Sequence, residues 1–186
     1  MRRLAIFASG SGSNAENIAR YFSNKPEFEI SAILSNNANA FVLSRARNLN
    51  IPTLVFSRSE FKKTDKIVDF LAEKKIDFVV LAGFIWLLPL NLLRKYPDSI
   101  VNIHPALLPK YGGKGMYGMN VHKAVVENKE KESGITIHMI NEKYDEGKIV
   151  FQAKCSISSS DTPEDVAEKI HKLEYEFFPK IIEQLL

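Results

Sequence analysis

Leu4-Ala5-Ile6-Phe7-Ala8-Ser9-Gly10-Ser11-Gly12-Ser13-Asn14 is a short apolar run that empties into a Gly/Ser turn, and a helical pattern from about Ala15 to Phe22 follows at once. A β-strand feeding straight into a helix is the first half of a βαβ unit. The same grammar repeats along the chain. Ile30 to Ser35, Phe78 to Ala82 and Ile100 to His104 are further strands, rich in Val, Ile, Leu and Phe, as a sheet covered on both faces requires. Asp65 to Lys74 carries Ile67, Val68 and Leu71 at helical spacing, and Val121 to Glu127 predicts a shorter helix. The expected fold is therefore α/β: a single domain, residues 1–186, with an open, mostly parallel twisted sheet flanked by helices.

The pattern changes late in the chain. Residues 134–140 and 148–154 alternate apolar and polar across a charged loop, which predicts a hairpin or an antiparallel edge. Thr162-Pro163-Glu164-Asp165 then opens a final helix with an N-cap, a first-turn proline and an acidic third position. Val166, Ile170, Leu173 and Phe177 are expected to form its apolar stripe, and Pro179 to kink it or end its regular part.

Composition narrows the class of function. A chain of 186 residues with 45% hydrophobic and 25% charged residues can bury one full core. The formal charge of +3 is scattered among acids rather than gathered in a run, so nucleic acid is not expected as a partner. Small anions remain suitable partners. The apolar run after Met1-Arg2-Arg3 is too short for a signal peptide, and no stretch approaches the roughly 20 residues of a membrane span. The single cysteine, Cys155, has no partner within the chain and lies in a strand pattern; a buried, reduced thiol and a cytoplasmic setting are expected.

Three features carry chemistry. The Gly/Ser loop is the kind of turn that holds an anion: glycine lets the backbone approach closely, a helix N-terminus presents free N–H groups, and Ser13 and Asn14 add donors. It is neither a dinucleotide fingerprint nor a P-loop, and such a turn by itself need hold no ligand. The second feature is Val101-Asn102-Ile103-His104-Pro105-Ala106-Leu107-Leu108-Pro109. Side chains two apart on a strand share a face, so Asn102 and His104 project together where Pro105 stops the strand. One brings an amide donor, the other a group that titrates near neutrality. The third is the charged loop Asn141-Glu142-Lys143-Tyr144-Asp145-Glu146-Gly147, which without other context would be a solvated turn.

Together these segments resemble the folate-dependent phosphoribosylglycinamide formyltransferases. The resemblance runs over essentially the whole chain: the Gly-Ser-Asn loop, Ser35-Asn36-Asn37-Ala38-Asn39-Ala40, Val80-Leu81-Ala82-Gly83-Phe84, the Asn-x-His-Pro-x-Leu-Leu-Pro block, Asp145 with Gly147, Gln152-Ala153-Lys154 and Glu174. It implies a Rossmann-like formyltransferase fold, with a phosphate-binding half of about 1–100 and a folate and catalytic half of about 76–186. It also implies transfer of formyl from 10-formyltetrahydrofolate, as cosubstrate and without a metal, to the amine of 5-phosphoribosylglycinamide. Gly12, Ser13 and Asn14 would bind the ribonucleotide phosphate, and Glu174 the glycinamide. Ile85, Trp86, Leu87 and Leu88, with the backbone around Ile140, Asn141 and Glu142, would line the pterin pocket. Asn102, His104 and Asp145 would carry the transfer: Asn102 and protonated His104 would stabilise the tetrahedral intermediate, and Asp145 would assist proton transfer and raise the tendency of His104 to hold a proton. The implied partners are small molecules, and the oligomeric state, monomer or homodimer, stays open.

The chain departs from the common pattern of these enzymes in two places. Lys110-Tyr111-Gly112-Gly113-Lys114-Gly115-Met116-Tyr117-Gly118 is longer and richer in glycine than the usual stretch, and Trp86 stands where some members have a basic residue. Methionyl-tRNA formyltransferase and formyltetrahydrofolate deformylase share the Asn, His and Asp, but the first normally adds a nucleic-acid-binding domain and the second a regulatory one. This chain is expected to have room for neither. A non-catalytic nucleotide-binding module is the rival from another class. Of the remaining histidines, His138 shares a strand face with Thr136 and stands open between a site and a structural role, whereas His122 and His171 are expected to pack or face solvent on helices.

Overall fold

The computed structural model describes residues 1–143 and 145–186; Tyr144, in the charged loop, lies outside the described residues. The chain forms two compact units, Met1–Val101 with Leu186, and Asn102–Leu185.

The first unit holds β1 (Arg2–Phe7), α1 (Ser13–Phe22), β2 (Phe28–Ser35), α2 (Val42–Asn48), β3 (Thr53–Val55), α3 (Arg58–Lys63), α4 (Lys66–Glu73), β4 (Phe78–Leu81) and α5 (Leu90–Lys95). β1 pairs in parallel with β2 on one side and β4 on the other, and β2 with β3. Leu4, Ala5, Ile6 and Phe7 are all fully buried, which is why the opening run is continuously apolar and not alternating. α1 lays Ala15, Ile18, Ala19 and Phe22 into the core.

The division between the units falls inside β5 (Ile100–His104). The second unit continues with α6 (Met119–Glu127), β6 (Glu132–Met139), β7 (Ile149–Ser156) and α7 (Pro163–Leu185). β6 and β7 pair antiparallel, as the alternation predicts, and the strand order is β3-β2-β1-β4-β5-β6-β7. Expected strand and helix positions agree with these to within a few residues.

Four elements leave no periodic trace in the sequence: α2, β3, α3 and α5 are seven, three, six and six residues long, too short to show a period. α3 nevertheless carries a local signal that could have found it, since Ser57 and Glu60 form a reciprocal capping box.

α7 starts as expected but departs from expectation in its buried face. Thr162 and Asp165 cap its start reciprocally, Asp165 N–H donating to Thr162 Oγ1 at 3.2 Å and Thr162 N–H to Asp165 Oδ2 at 2.8 Å. Its buried face, however, runs through Val166, Ile170, Glu174, Phe178, Ile181 and Ile182, while Leu173 and Phe177 are only half-buried. The stripe keeps a spacing of four after Ile170, which places a carboxylate in it. Pro179 does not end the helix, which continues to Leu185 with Pro179 itself buried between core residues. Cys155 is half-buried, not buried as expected: β7 is an edge strand, and even its more covered face, with Phe151, Ala153 and Cys155, stays half-buried. Among the described residues, no helix is long and apolar enough to cross a membrane.

Candidate functional site

Asn102 and His104 do share a face of β5, and the second unit brings two more groups to them. Asn102 Nδ2 lies 3.0 Å from His138 Nε2, His104 Nδ1 is 3.7 Å from Asp145 Oδ2, and His138 Nε2 is 3.6 Å from Asp145 Oδ1. The four side chains come from β5, β6 and the loop between β6 and β7. His138 is fully buried and His104 nearly so, while Asp145 keeps a small exposed edge.

Hydrogen-bond partners fix the tautomers, since a carbonyl can only accept. His104 Nε2 donates to the Tyr111 carbonyl at 2.7 Å, which leaves the Nδ1 lone pair facing Asp145. His138 Nδ1 donates to the Met139 carbonyl at 3.2 Å, so its Nε2 accepts from the Asn102 amide. His138 thus holds Asn102 by one N–H and leaves the other free. The sequence reading left His138 between two roles; the signal that pointed to the site was the period of two along β6, which sets it on the buried face of Thr136.

Local packing explains why the motif has the residues it has. Thr136 Oγ1 donates to the Ala106 carbonyl at 2.7 Å and accepts from Leu108 N–H at 2.9 Å and from Gln152 Nε2 at 2.8 Å. The Pro-bounded loop after β5 is therefore pinned to both late strands. Gly147 is required two residues beyond Asp145: a Cβ there would sit 1.6 Å from the Met139 carbonyl oxygen, so only glycine lets the chain turn back beside His138. Gly113 N–H donates to Asp145 Oδ2 at 2.9 Å.

The electrostatics differ from the sequence-based expectation. Burial pushes the pKa of His104 below its ordinary value of 6.5, and the Asp145 charge and the Tyr111 carbonyl only partly offset this. Burial acts on Asp145 in the opposite sense, but the His138 ring, the His104 charge and the Gly113 N–H outweigh it, and its carboxyl lies below 3.8. At neutral pH the site therefore holds a neutral imidazole with an open lone pair beside an ionised carboxylate. Asp145 does favour the charged imidazole, but desolvation is the larger effect.

The first unit carries the anion loop. Gly12 adopts φ 71°, and a Cβ there would lie 2.2 Å from the Val42 side chain. Val42 N–H donates to the Gly10 carbonyl at 3.1 Å, and Arg45 Nε to the Ser11 carbonyl at 2.9 Å. These bonds turn the loop's carbonyls toward α2, at the end of α1 where a helix presents its first-turn N–H groups. Arg45 also pairs with Glu16.

Ile85 to Leu88 follow β4 in the same unit. Ile85 is 42% exposed, Trp86 and Leu87 are half-buried, and Leu88 is buried. Trp86 packs on Phe56, Phe61 and Phe84 with ring centroids about 6 Å apart, and the Arg58 guanidinium lies 5.9 Å above it. An apolar wall backed by aromatic rings suits a flat heteroaromatic guest. In the second unit Ile140 is half-buried and Asn141 and Glu142 are exposed; Asn141 Nδ2 donates to the Glu146 carbonyl at 3.2 Å and so braces the loop that carries Asp145. Glu174 is buried in the stripe of α7. Among the described residues no cluster of three or more His, Cys, Asp or Glu could hold a metal.

The chain is also similar to known proteins over nearly its whole length. A model of the family described as formyl transferase matches residues 2–182. A chloroplastic phosphoribosylglycinamide formyltransferase of Arabidopsis thaliana is 38% identical over 97% of this chain and 64% of its own length. The Haemophilus influenzae phosphoribosylglycinamide formyltransferase is 36% identical over 98% of this chain and 86% of its own. The chain thus spans less than two thirds of the plant relatives it matches, 64% and 61%. Among solved structures, glycinamide ribonucleotide transformylase 1 of Geobacillus kaustophilus superposes with a TM-score of 0.91 at 32% identity, covering 100% of this chain and 99% of that one.

Proposed function

We propose, from the premise that this chain belongs to the formyl transferase family, that it moves the formyl group of 10-formyltetrahydrofolate onto the amine of 5-phosphoribosylglycinamide, a step of purine biosynthesis. The observation that carries the reading is the cluster in which a tethered amide, a neutral imidazole and an ionised carboxylate meet. The step needs each of them. When the amine nitrogen attacks the formyl carbon, a C–N bond forms and the carbonyl oxygen takes the π electron pair. The free N–H of Asn102 donates to that oxyanion. The open Nδ1 of His104 accepts the proton leaving the amine, and Asp145 stabilises the imidazolium so formed. The oxyanion's electron pair then re-forms the C=O bond as the old C–N bond breaks; that bond's pair stays on the folate nitrogen and the proton is returned there, so His104 ends neutral.

The remaining residues bind. Gly12, Ser13 and Asn14 take the ribonucleotide phosphate at the start of α1, and Glu174 meets the glycinamide. Ile85, Trp86, Leu87 and Leu88 of the first unit contact the pterin; in the second unit Ile140, Asn141 and Glu142 are assigned to folate. The aqueous, reducing cytoplasm is the setting that a single unpaired cysteine favours.

The test is to incubate the protein with 10-formyltetrahydrofolate, with and without glycinamide ribonucleotide, and follow tetrahydrofolate and formylated ribonucleotide together. Turnover only with the ribonucleotide supports the proposal. Folate turnover without it identifies a deformylase, and none in either tube leaves a binding module.

A further inference from the structure

The glycine-rich segment after Pro109 touches both acid–base groups at once. Its Tyr111 carbonyl accepts from His104 Nε2 at 2.7 Å, and two residues on its Gly113 N–H donates to Asp145 Oδ2 at 2.9 Å. Gly112, between them, packs so closely that a Cβ would lie 3.3 Å from Asp145 Cβ. One tripeptide thus supplies the acceptor that sets the His104 tautomer and a donor that holds the carboxylate facing it. Without the Tyr111 bond the neutral ring could carry its proton on Nδ1, toward Asp145, and would then have no lone pair there to receive another.

What holds the tripeptide is a side chain. Tyr111 sits at φ 56°, a conformation uncommon for any residue but glycine, and a flanking constraint must maintain it. Its hydroxyl donates to Glu130 Oε1 at 2.9 Å, and the same oxygen accepts from Lys110 Nζ at 3.0 Å. Glu130 lies in the short connection between α6 and β6, with its own N–H donating to the Val125 carbonyl at 3.2 Å, so the anchor stands outside the loop that it holds. Charged hydrogen bonds from two donors to one carboxylate oxygen are well suited to such a tether.

We infer that Glu130 and the Tyr111 hydroxyl are positioning residues: through the Tyr111 carbonyl and the Gly113 N–H they hold His104 as its Nε2–H tautomer, with Nδ1 open and Asp145 opposite it. The kinetic consequence rests on the formyl-transfer reading; the tautomer does not.

The experiment compares wild type with Tyr111→Phe, Glu130→Ala and Glu130→Gln by two readouts. Long-range 15N–1H NMR of the imidazoles reports the tautomer of His104, and steady-state kinetics separates kcat from KM. In wild type His104 should read as Nε2–H. Tyr111→Phe and Glu130→Ala should give a mixture of tautomers and about a tenfold loss of kcat with KM within twofold, whereas Glu130→Gln, whose amide oxygen can still accept, should recover most of both. Tyr111→Phe deletes one oxygen and leaves no cavity, so it reports even if Glu130→Ala folds poorly. An unchanged Nε2–H signal in Tyr111→Phe overturns the inference, as does a loss in Glu130→Gln equal to that in Glu130→Ala. A wild type that transfers no formyl group overturns the function instead, and the NMR result still decides the clamp.

Discussion

The anion loop of the first unit and the proton-handling cluster of the second are built in opposite ways. Gly10 to Asn14 is one contiguous turn, formed by a left-handed glycine at the start of α1 and braced by bonds from Val42 and Arg45. The cluster gathers Asn102, His104, Tyr111, Gly113, His138 and Asp145 from four separate segments. The first needs backbone amides, which any glycine turn before a helix can offer. The second needs a particular tautomer and a particular charge state, which only fixed neighbours can impose.

The largest effect that would break the contrast is on the cluster. His104→Ala should lower kcat by roughly 10³-fold with little change in KM, because it removes the base and not the binding loop. In wild type the acid limb of kcat/KM should lie below pH 6.5. Burial lowers the folded pKa of His104, so the neutral, active form persists further into acid and is lost only as pH falls through that lowered value. A limb above 6.5 would mean that Asp145 outweighs desolvation.

Gly12→Ala tests the other region. Its Cβ would meet the Val42 side chain at 2.2 Å and force an L-residue to φ 71°, so the loop must open. The expected outcome is a loss of 5-phosphoribosylglycinamide affinity of about a hundredfold, with stability down by roughly 1–3 kcal/mol and kcat at saturation much less affected. Titration of the ribonucleotide by calorimetry and a urea melt measure the two parts.

His138→Leu sharpens the comparison within the cluster. It frees the Asn102 amide without removing it, and kcat should fall about tenfold, less than for Asn102→Ala, in which the oxyanion donor itself is lost. Equal losses in the two variants would make His138 more than a tether.

The smallest effect on turnover is expected outside both regions, where the change is in stability instead. Burial, with the charges of His171 and His104, lowers the pKa of His122 from 6.5 to about 4, and its Nδ1 has no hydrogen-bond partner. A depressed folded pKa means that the unfolded chain binds the proton more readily. This group's contribution is therefore whole above about pH 6.5 and is lost as pH falls toward about 4, on the order of 2–3 kcal/mol. His122→Leu should flatten the melting-temperature profile over that window.

Much of this was readable from residue order alone. Continuous apolar runs marked the parallel strands, alternation marked β6 and β7, and the i, i+2 rule placed Asn102 and His104 side by side. What escaped the reading depends on neighbours distant in sequence. α2, β3, α3 and α5 are too short for any period. The stripe of α7 passes through Glu174, a residue that hydrophobic patterning discards. His138 stood open between a site and a structural role until its contact with the Asn102 amide on another strand decided it.

By itself the amino-acid sequence determined the elements with enough residues to show a period, the strand-to-helix turn at Gly12, and the pairing of an amide with an imidazole at the end of β5, because each follows from local sterics and spacing. Only the tertiary structure decided that His104 rests neutral with its Nδ1 open, that Asp145 is ionised, and that His138 and the Tyr111 segment orient them. Those properties are set by desolvation and by hydrogen-bond partners that no local pattern contains.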